Sequence, residues 1–221
     1  MVTIWLFLVR GEFQQRVDRK TTVLRDLSVG VGYFWSTPVV LAIIGSGFAL
    51  GFFGTSYIQV LPAFAKEELG VGVAEAGLLI TAAGIGSLAG SIVLASLGNF
   101  RHKNWLIMGT FIIFCLTLFL LAWSPWYWVS WVILLLVGFG SMTYVSMGTT
   151  VIQLTVPPQV QGRVLSLWTV GAALVYVGAL PLAAVADALN WTIAIAGGAV
   201  ICLGVFLWLG VWRPALRRLD V

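Results

Sequence analysis

Very few side chains in this sequence have the chemistry of a catalytic or metal site. His102 is the single histidine and lies in a basic loop between Arg101 and Lys103, as a solvated residue would. Cys115 and Cys202 fall in the middle of apolar runs, where a cysteine behaves as a small buried hydrophobe. No cluster of His, Cys and carboxylates in the sequence has metal-ligand spacing, and no pair matches an intramembrane protease. We therefore expect neither an enzyme nor a bound metal or cofactor.

Polar side chains of another kind recur inside otherwise apolar segments. Many lie three or four residues apart, which places them on one face of a helix. Hydroxyls and amides are unfavourable in an apolar environment unless they form hydrogen bonds, so these side chains either join helices or line a cavity. We predict that the following polar residues face an interior cavity: Thr55, Gln59, Thr81, Ser87, Ser91, Tyr144, Gln153 and Tyr176. Ordinary helix packing is the alternative.

The composition indicates that membrane helices must position these side chains. Of 221 residues, 60% are hydrophobic and 9% are charged, whereas about 25% are charged in a typical soluble domain. A soluble fold of this size could not bury so much apolar surface. The sequence predicts an all-α membrane protein that contacts the lipid bilayer. The net charge of +4 then reflects where basic residues lie relative to the membrane, so we expect no nucleic-acid partner.

Apolar runs and proline boundaries predict six transmembrane helices in a bundle over residues 38–212. Pro38 opens the first helix and Pro62 closes it, while Pro157-Pro158 ends the fourth, because proline disfavours helix in the residue before it. Each run is long enough for a helix of about 20 residues, the length that spans a bilayer. The predicted helices cover residues 38–61, 73–98, 104–123, 126–154, 163–186 and 190–212.

The basic residues predict the orientation of these helices. Six helices place 11 of the 12 Lys and Arg residues on one side of the membrane, and only Lys66 on the other. Basic loops stay in the cytoplasm. We therefore expect a multi-pass protein of the cell (inner or plasma) membrane with both termini in the cytoplasm.

The two ends of the chain lie outside the predicted bundle. Residues 1–9 are apolar but too short to span a bilayer, which is typical of the end of a preceding transmembrane helix. Residues 10–37 form a cytoplasmic linker whose charged part has an amphipathic pattern that fits the membrane surface, with a solvated linker as the alternative. Residues 213–221 form a cytoplasmic tail.

Similar dipeptides divide the six helices into two units. Thr37-Pro38 and Ser124-Pro125 are 87 residues apart, and Asn104-Trp105 and Asn190-Trp191 are 86 residues apart. Because each unit has an odd number of helices, consecutive units must be inverted in the membrane. We also expect close backbone approach at two G-x-x-x-G motifs, Gly47 to Gly51 and Gly86 to Gly90. The third and sixth helices are bulky and suit the periphery.

One loop and the helix after it resemble a known family. Residues 156–166 read VPPQVQGRVLS and residues 178–182 read GALPL, followed by Ala183. The combination of Gly-Arg-Val with Pro-Leu resembles the region of the tenth and eleventh helices in the major facilitator superfamily. It is most similar to the branch of drug and siderophore exporters that includes the enterobactin exporter and macrolide efflux proteins. The family pattern has Gly where this chain has Ala183.

The resemblance implies that this chain is the carboxyl-terminal six-helix half of a twelve-helix transporter. The first, second, fourth and fifth helices would then face a central cavity, and the third and sixth would be peripheral. The polar residues named above would contact a small-molecule substrate, and the missing partner would be an amino-terminal six-helix half. The resemblance implies no cofactor and makes a proton gradient the candidate energy source.

Basic residues in the cytoplasmic loops are candidates for a gate. Arg163 is predicted at the start of the fifth helix, where a cation opposes the helix dipole, so we expect a partner that compensates its charge. Positive-inside anchoring alone is the alternative. The loop over residues 98–103 occupies the place of a family motif, although it lacks the acidic residue of that motif. The gate and loop candidates are Gly162, Arg163, Arg101 and Lys103.

Taken together, the residues and the resemblance predict secondary active transport. The expected activity is export of a small, partly hydrophobic molecule by alternating access. One alternative is a truncated or split-gene membrane module without transport activity of its own. Another is a permease subunit of a different family that requires an ATPase.

Overall fold

The described part of the chain, residues 32, 35–97 and 103–212 of a computed structural model, is built from helices and contains no strand. A π-helical turn, Leu50–Gly54, joins the first two helices. From Pro38 onward, the described residues form α1 (Pro38–Ala49), α2 (Tyr57–Glu67), α3 (Val73–Leu97), α4 (Lys103–Ala122), α5 (Tyr127–Thr155), α6 (Pro158–Ala188) and α7 (Trp191–Trp212).

Within the residues that the structure describes, six segments have the length and hydropathy of membrane-spanning helices, which confirms the six predicted helices. The first segment combines α1, the π-turn and α2. We number the segments as spans one to six: Pro38–Glu67, Val73–Leu97, Trp105–Ala122, Tyr127–Thr155, Pro158–Ala188 and Trp191–Gly210.

Several sequence predictions fall outside the described residues. They are the helix remnant at residues 1–9, most of the linker at 10–37, the tail at 213–221, and Arg101 in the loop between spans two and three.

Two predicted helix ends are wrong, and both involve proline. Pro62 lies inside α2, which continues to Glu67, because a membrane helix tolerates the loss of one backbone hydrogen bond when its surroundings compensate. Span five begins at Pro158 rather than at residue 163. Proline suits the first turn of a helix, where its missing N–H has no intrahelical acceptor. Arg163 is therefore the sixth residue of α6 instead of its first.

Glycines bring neighbouring helices into backbone contact at both predicted motifs. Gly86 of α3 lies against the backbone of Leu135 in α5, and Gly90 lies one turn further along against Phe139. The backbone of Gly51 similarly meets Gly171 of α6. A side chain at any of these glycines would collide with the partner helix, so the predicted close approach is confirmed.

The packing of the spans follows an inverted repeat of two three-helix units. Span two packs on span four, and span five packs correspondingly on span one. Span three contacts span four as span six contacts span one, while spans three and six pack on each other. The contacts of spans two and three with span four thus match those of spans five and six with span one, as a twofold relation between the units requires, although span five also packs on span six. The predicted pair of inverted units is confirmed.

The core holds a row of aromatic rings from three spans. Phe111 stacks on Phe206 with ring centroids 4.1 Å apart and meets the edge of Tyr144 at 4.7 Å. Cys115 and Cys202 are also buried in this region with free thiols, as the apolar runs predicted. The two lie side by side, although their separation in the sequence did not predict this.

Candidate functional site

Span one is interrupted near its middle by the π-helical turn Leu50–Gly54. The N–H of Thr55 donates to the carbonyl of Leu50 at 2.7 Å, a hydrogen bond to the fifth preceding residue that defines this geometry. The Thr55 hydroxyl donates to the same carbonyl at 3.2 Å, and the Ser56 hydroxyl donates to the carbonyl of Phe52 at 2.6 Å. These hydroxyls stabilise carbonyls that the turn displaces from regular α-helical bonding.

The interruption coincides with the closest approach of α6. The backbone of Gly178 lies against the carbonyl of Phe52 and the hydroxyl of Ser56, where no side chain would fit. Small residues on both helices therefore fix the turn against span five. π-turns often occur at functional sites, and interrupted membrane helices often form binding sites near the bilayer midplane.

A pocket of about 260 Å³ lies beside this turn. Spans one and five supply most of its walls, and span four contributes Val145. Apart from the Thr55 hydroxyl, the Gln59 amide and the Trp168 indole N–H, its side chains are apolar. Its lining residues are Gly47, Leu50, Gly51, Thr55, Ile58, Gln59, Val145, Trp168, Ala172 and Val175.

A second cavity lies on the other side of the turn. It measures about 240 Å³ and is bounded by Phe52 and Phe53 of the turn together with spans five and six. Its side chains are all apolar, which suits contact with hydrocarbon and offers no hydrogen bond to a polar ligand.

The pocket brings together two of the eight predicted cavity residues. Thr55 is half-buried and Gln59 is exposed, and both line the wall that span one contributes. Among the described residues, the side-chain amide of Gln59 has no hydrogen-bond partner. That amide is therefore free to form a hydrogen bond with a polar ligand in the pocket.

Three predicted residues of α3 lie away from this pocket. The hydroxyl of Thr81 is exposed and donates to the carbonyl of Gly77 at 2.9 Å. Ser87 donates to Ala83 of its own helix at 2.9 Å and approaches Gly138 of α5 at 3.3 Å. The Ser91 hydroxyl donates to the Ser87 carbonyl at 2.9 Å. Ser87 therefore helps to join α3 to α5.

Tyr144 is fully buried between spans one and four. Its hydroxyl shares a hydrogen bond with that of Ser46 at 2.5 Å and donates to the carbonyl of Ile43 at 3.2 Å. Tyr144 therefore packs beneath the pocket and is absent from its lining.

The remaining predicted residues occupy α6 and the adjacent end of α5. Gln153 is exposed, and its carbonyl accepts a hydrogen bond from the Gln161 side chain at 2.9 Å. Tyr176 is 67% exposed on α6. Gly162 is exposed with open space around it, and Arg163 is half-buried in the second turn of the same helix. The side chain of Lys103 lies outside the described residues.

Sequence reasoning did not select Trp168, the largest side chain of the pocket lining. The prediction selected polar side chains, whereas an indole in an apolar segment resembles any other core residue. The available signal was the set of small residues that accommodates the ring, Gly47 on one neighbouring span and Gly148 on another.

Comparison with known protein families identifies the chain. The profile described as Major Facilitator Superfamily matches residues 1–179 and also matches residues 43–219. The chain belongs to the major facilitator superfamily. Members of this superfamily are membrane transporters rather than enzymes, and the six apolar helices are consistent with half of the major facilitator fold. Among curated proteins, none matches this chain.

Proposed function

We propose that this chain is the carboxyl-terminal half of a secondary active transporter that exports a small, partly hydrophobic molecule. The observation that carries this proposal is the pocket beside the interrupted helix of span one. Its apolar walls and few polar groups, Thr55 and Gln59 among them, have the composition of a small-molecule site. An interrupted helix supports alternating access, in which one bundle rocks against another around a central site.

The size of the pocket supports a role as one part of a larger site. Sites for drug-sized ligands measure about 300–1,000 Å³, whereas this pocket measures about 260 Å³. A second bundle facing the same side of span one would enlarge the pocket and close it from the bilayer. In our proposal, that bundle is an amino-terminal six-helix half.

Spans two and five support such a partner through their exposure. In an 18-residue apolar stretch of each span, only 28% is buried within the chain for span two and 22% for span five, compared with 67% for span one. Span five also exposes the polar side chain of Tyr176, whereas the exposed hydroxyl of Thr81 in span two donates within its own helix. Polar groups are costly in hydrocarbon, so a second helical bundle is a better environment for them. A second copy of this chain would cover the same faces less favourably.

The charge pattern supports an orientation with both termini in the cytoplasm of the cell membrane. In that orientation the loop before Arg163 lies at the cytoplasmic end of spans four and five. We propose that the inner gate lies at this end. Gly162 and Arg163 would contribute to it from the start of span five, and Arg101 and Lys103 from the loop between spans two and three. A proton gradient would drive export without a bound cofactor.

The experiment that tests this function uses the natural host cell, where any partner is present. We expect Gln59→Leu to slow the efflux of at least one dye from a panel of hydrophobic dyes by about fivefold, because one hydrogen bond contributes about 1 kcal/mol. Thr117→Val is the matched control, since Thr117 donates only within its own helix. Addition of an uncoupler measures the dependence on the proton gradient.

Deletion of the gene provides the reference rate in the same assay. If the deletion strain exports every dye at the wild-type rate, the chain acts as a membrane module without transport activity, and the proposal is wrong. If Gln59→Leu matches the wild type while deletion slows efflux, the transporter uses another site.

A further inference from the structure

Trp168 projects from α6 into a slot between two other spans. A side-chain carbon at Gly47 of span one would collide with the six-membered ring of Trp168, and one at Gly148 of span four would lie 2.8 Å from the same ring. The ring therefore fills space that glycine leaves open on both neighbouring helices. Tyr144 packs behind it, with ring centroids 6.2 Å apart.

This slot restricts the motion of the indole. The backbones at Gly47 and Gly148 lie close to the six-membered ring and oppose its rotation toward span one or span four. Tyr144 is held in turn by its hydrogen bonds to α1. Trp168 thus presents one fixed surface to the pocket without the entropic cost of ordering a mobile side chain when a ligand binds.

The rest of the pocket lining suits a flat apolar group. Leu50, Val145 and Val175 line it together with Trp168. Among the described residues, this lining contains no Asp, Glu, Lys or Arg that would neutralise a charged group. A charge without such a partner is costly to desolvate, whereas an aromatic ring gains from contact with another ring.

We propose that Trp168 is a specificity-determining residue that contacts an aromatic ring of the transported molecule. This inference rests on the proposed function and names the substrate class of that site, an uncharged molecule with at least one aromatic ring. The indole forms one wall for the ring, and Gln59 provides a hydrogen bond to a polar substituent.

The test compares two alcohols of nearly equal size, 2-naphthol and decahydro-2-naphthol, of which only the first is aromatic. The full chain carries Ile58→Cys as a reporter in the pocket lining, which leaves Gln59 intact. It is studied in lipid nanodiscs, with Cys115 and Cys202 replaced by alanine. We measure the membrane concentration of each alcohol that halves the rate of maleimide labelling at position 58. We expect this concentration to be about 2- to 10-fold lower for 2-naphthol, as the extra stabilisation of an aromatic pair implies.

Three variants assign this preference to the indole. In Trp168→Leu the two alcohols should protect equally, whereas Trp168→Phe should keep part of the preference for 2-naphthol. Trp105→Leu, which removes an exposed indole from span three, should behave as the wild type. Size-exclusion chromatography checks that each variant is folded. If Trp168→Leu does not fold, the wild-type ratio and the Trp168→Phe variant still decide the question.

The possible results distinguish a failure of this inference from a failure of the proposed function. Equal protection by the two alcohols in the wild type would overturn the aromatic preference and leave the pocket as a binding site. A preference that persists in Trp168→Leu would overturn the role of Trp168. Protection by neither alcohol would overturn the pocket itself, and with it the site on which the proposed function depends.

Discussion

At the scale of single residues, most hydroxyls of the bundle donate to a carbonyl one turn earlier in their own helix. Thr117 and Thr149 are examples, with distances of 2.8 and 2.9 Å. Such hydroxyls are satisfied without a partner helix. The informative polar groups are those that bond between spans, such as Ser46 with Tyr144, or that have no partner among the described residues, such as the Gln59 amide.

The hydrogen bonds of Tyr144 give a prediction about stability. Tyr144→Phe removes the hydroxyl that links span four to Ser46 and Ile43. We expect the free energy of unfolding to fall by about 0.5–1.5 kcal/mol, because hydrogen bonds between membrane helices are individually modest. Unfolding of the purified chain in mixed detergent micelles measures this change.

Tyr176→Phe is the control for this measurement, because Tyr176 is mostly exposed and should tolerate the change. Dye efflux in the host should be unchanged in Tyr144→Phe, since the residue does not line the pocket. Slower efflux without any loss of stability would instead mean that Tyr144 contacts the substrate.

The sequence could predict which residues are polar within the membrane, but it could not distinguish their surroundings. Thr55, Gln59 and Tyr144 have the same pattern of polar side chains in apolar segments. The structure brings the first two to one pocket and buries the third against Ser46. The difference depends on the rotation of each helix about its axis, and that rotation is set by contacts such as Gly51 with Gly171.

At the scale of elements, glycine contacts determine how closely the helices approach. Gly86 of α3 is in backbone contact with Leu135 of α5, whereas Gly84 of the same helix has open space where a side chain would begin. The two positions have the same residue type and the same helical backbone, so they form a matched pair.

We predict opposite effects of alanine at these two glycines. Gly86→Ala should destabilise the chain by about 1–3 kcal/mol, because the added carbon forces α3 away from α5. Gly84→Ala should stabilise it by up to about 1 kcal/mol, because alanine favours a helix more than glycine does. Equilibrium unfolding in detergent measures both. If the two variants were equally stable, α3 and α5 would not approach as closely as the structure indicates.

The helices could be predicted better than their ends and interruptions. Long charge-free stretches define six spans because a bilayer requires about 20 apolar residues. The π-turn was not predictable in this way, since Leu50–Gly54 is as apolar as the helices on either side. Pro62 was misleading because the rule that proline ends a helix is weaker within membranes.

At the scale of the whole molecule, the described part of the chain has one well-packed side and one largely exposed side. Spans three and six pack on each other and on spans four and one. Spans two and five remain largely exposed, and the pocket on span one is small for a complete site. Membership of the major facilitator superfamily indicates a membrane transporter. Alternating access, however, needs two bundles that move against each other.

We expect this chain to require a second helical bundle for transport. The most direct measurement is gradient-driven flux of a hydrophobic dye into liposomes that contain the purified chain as a monodisperse monomer. We predict insertion into the bilayer, since each span is apolar enough, with no flux above that of empty liposomes. Flux should appear when a six-helix partner is added during reconstitution. Robust gradient-driven flux from the monomer alone would contradict the account.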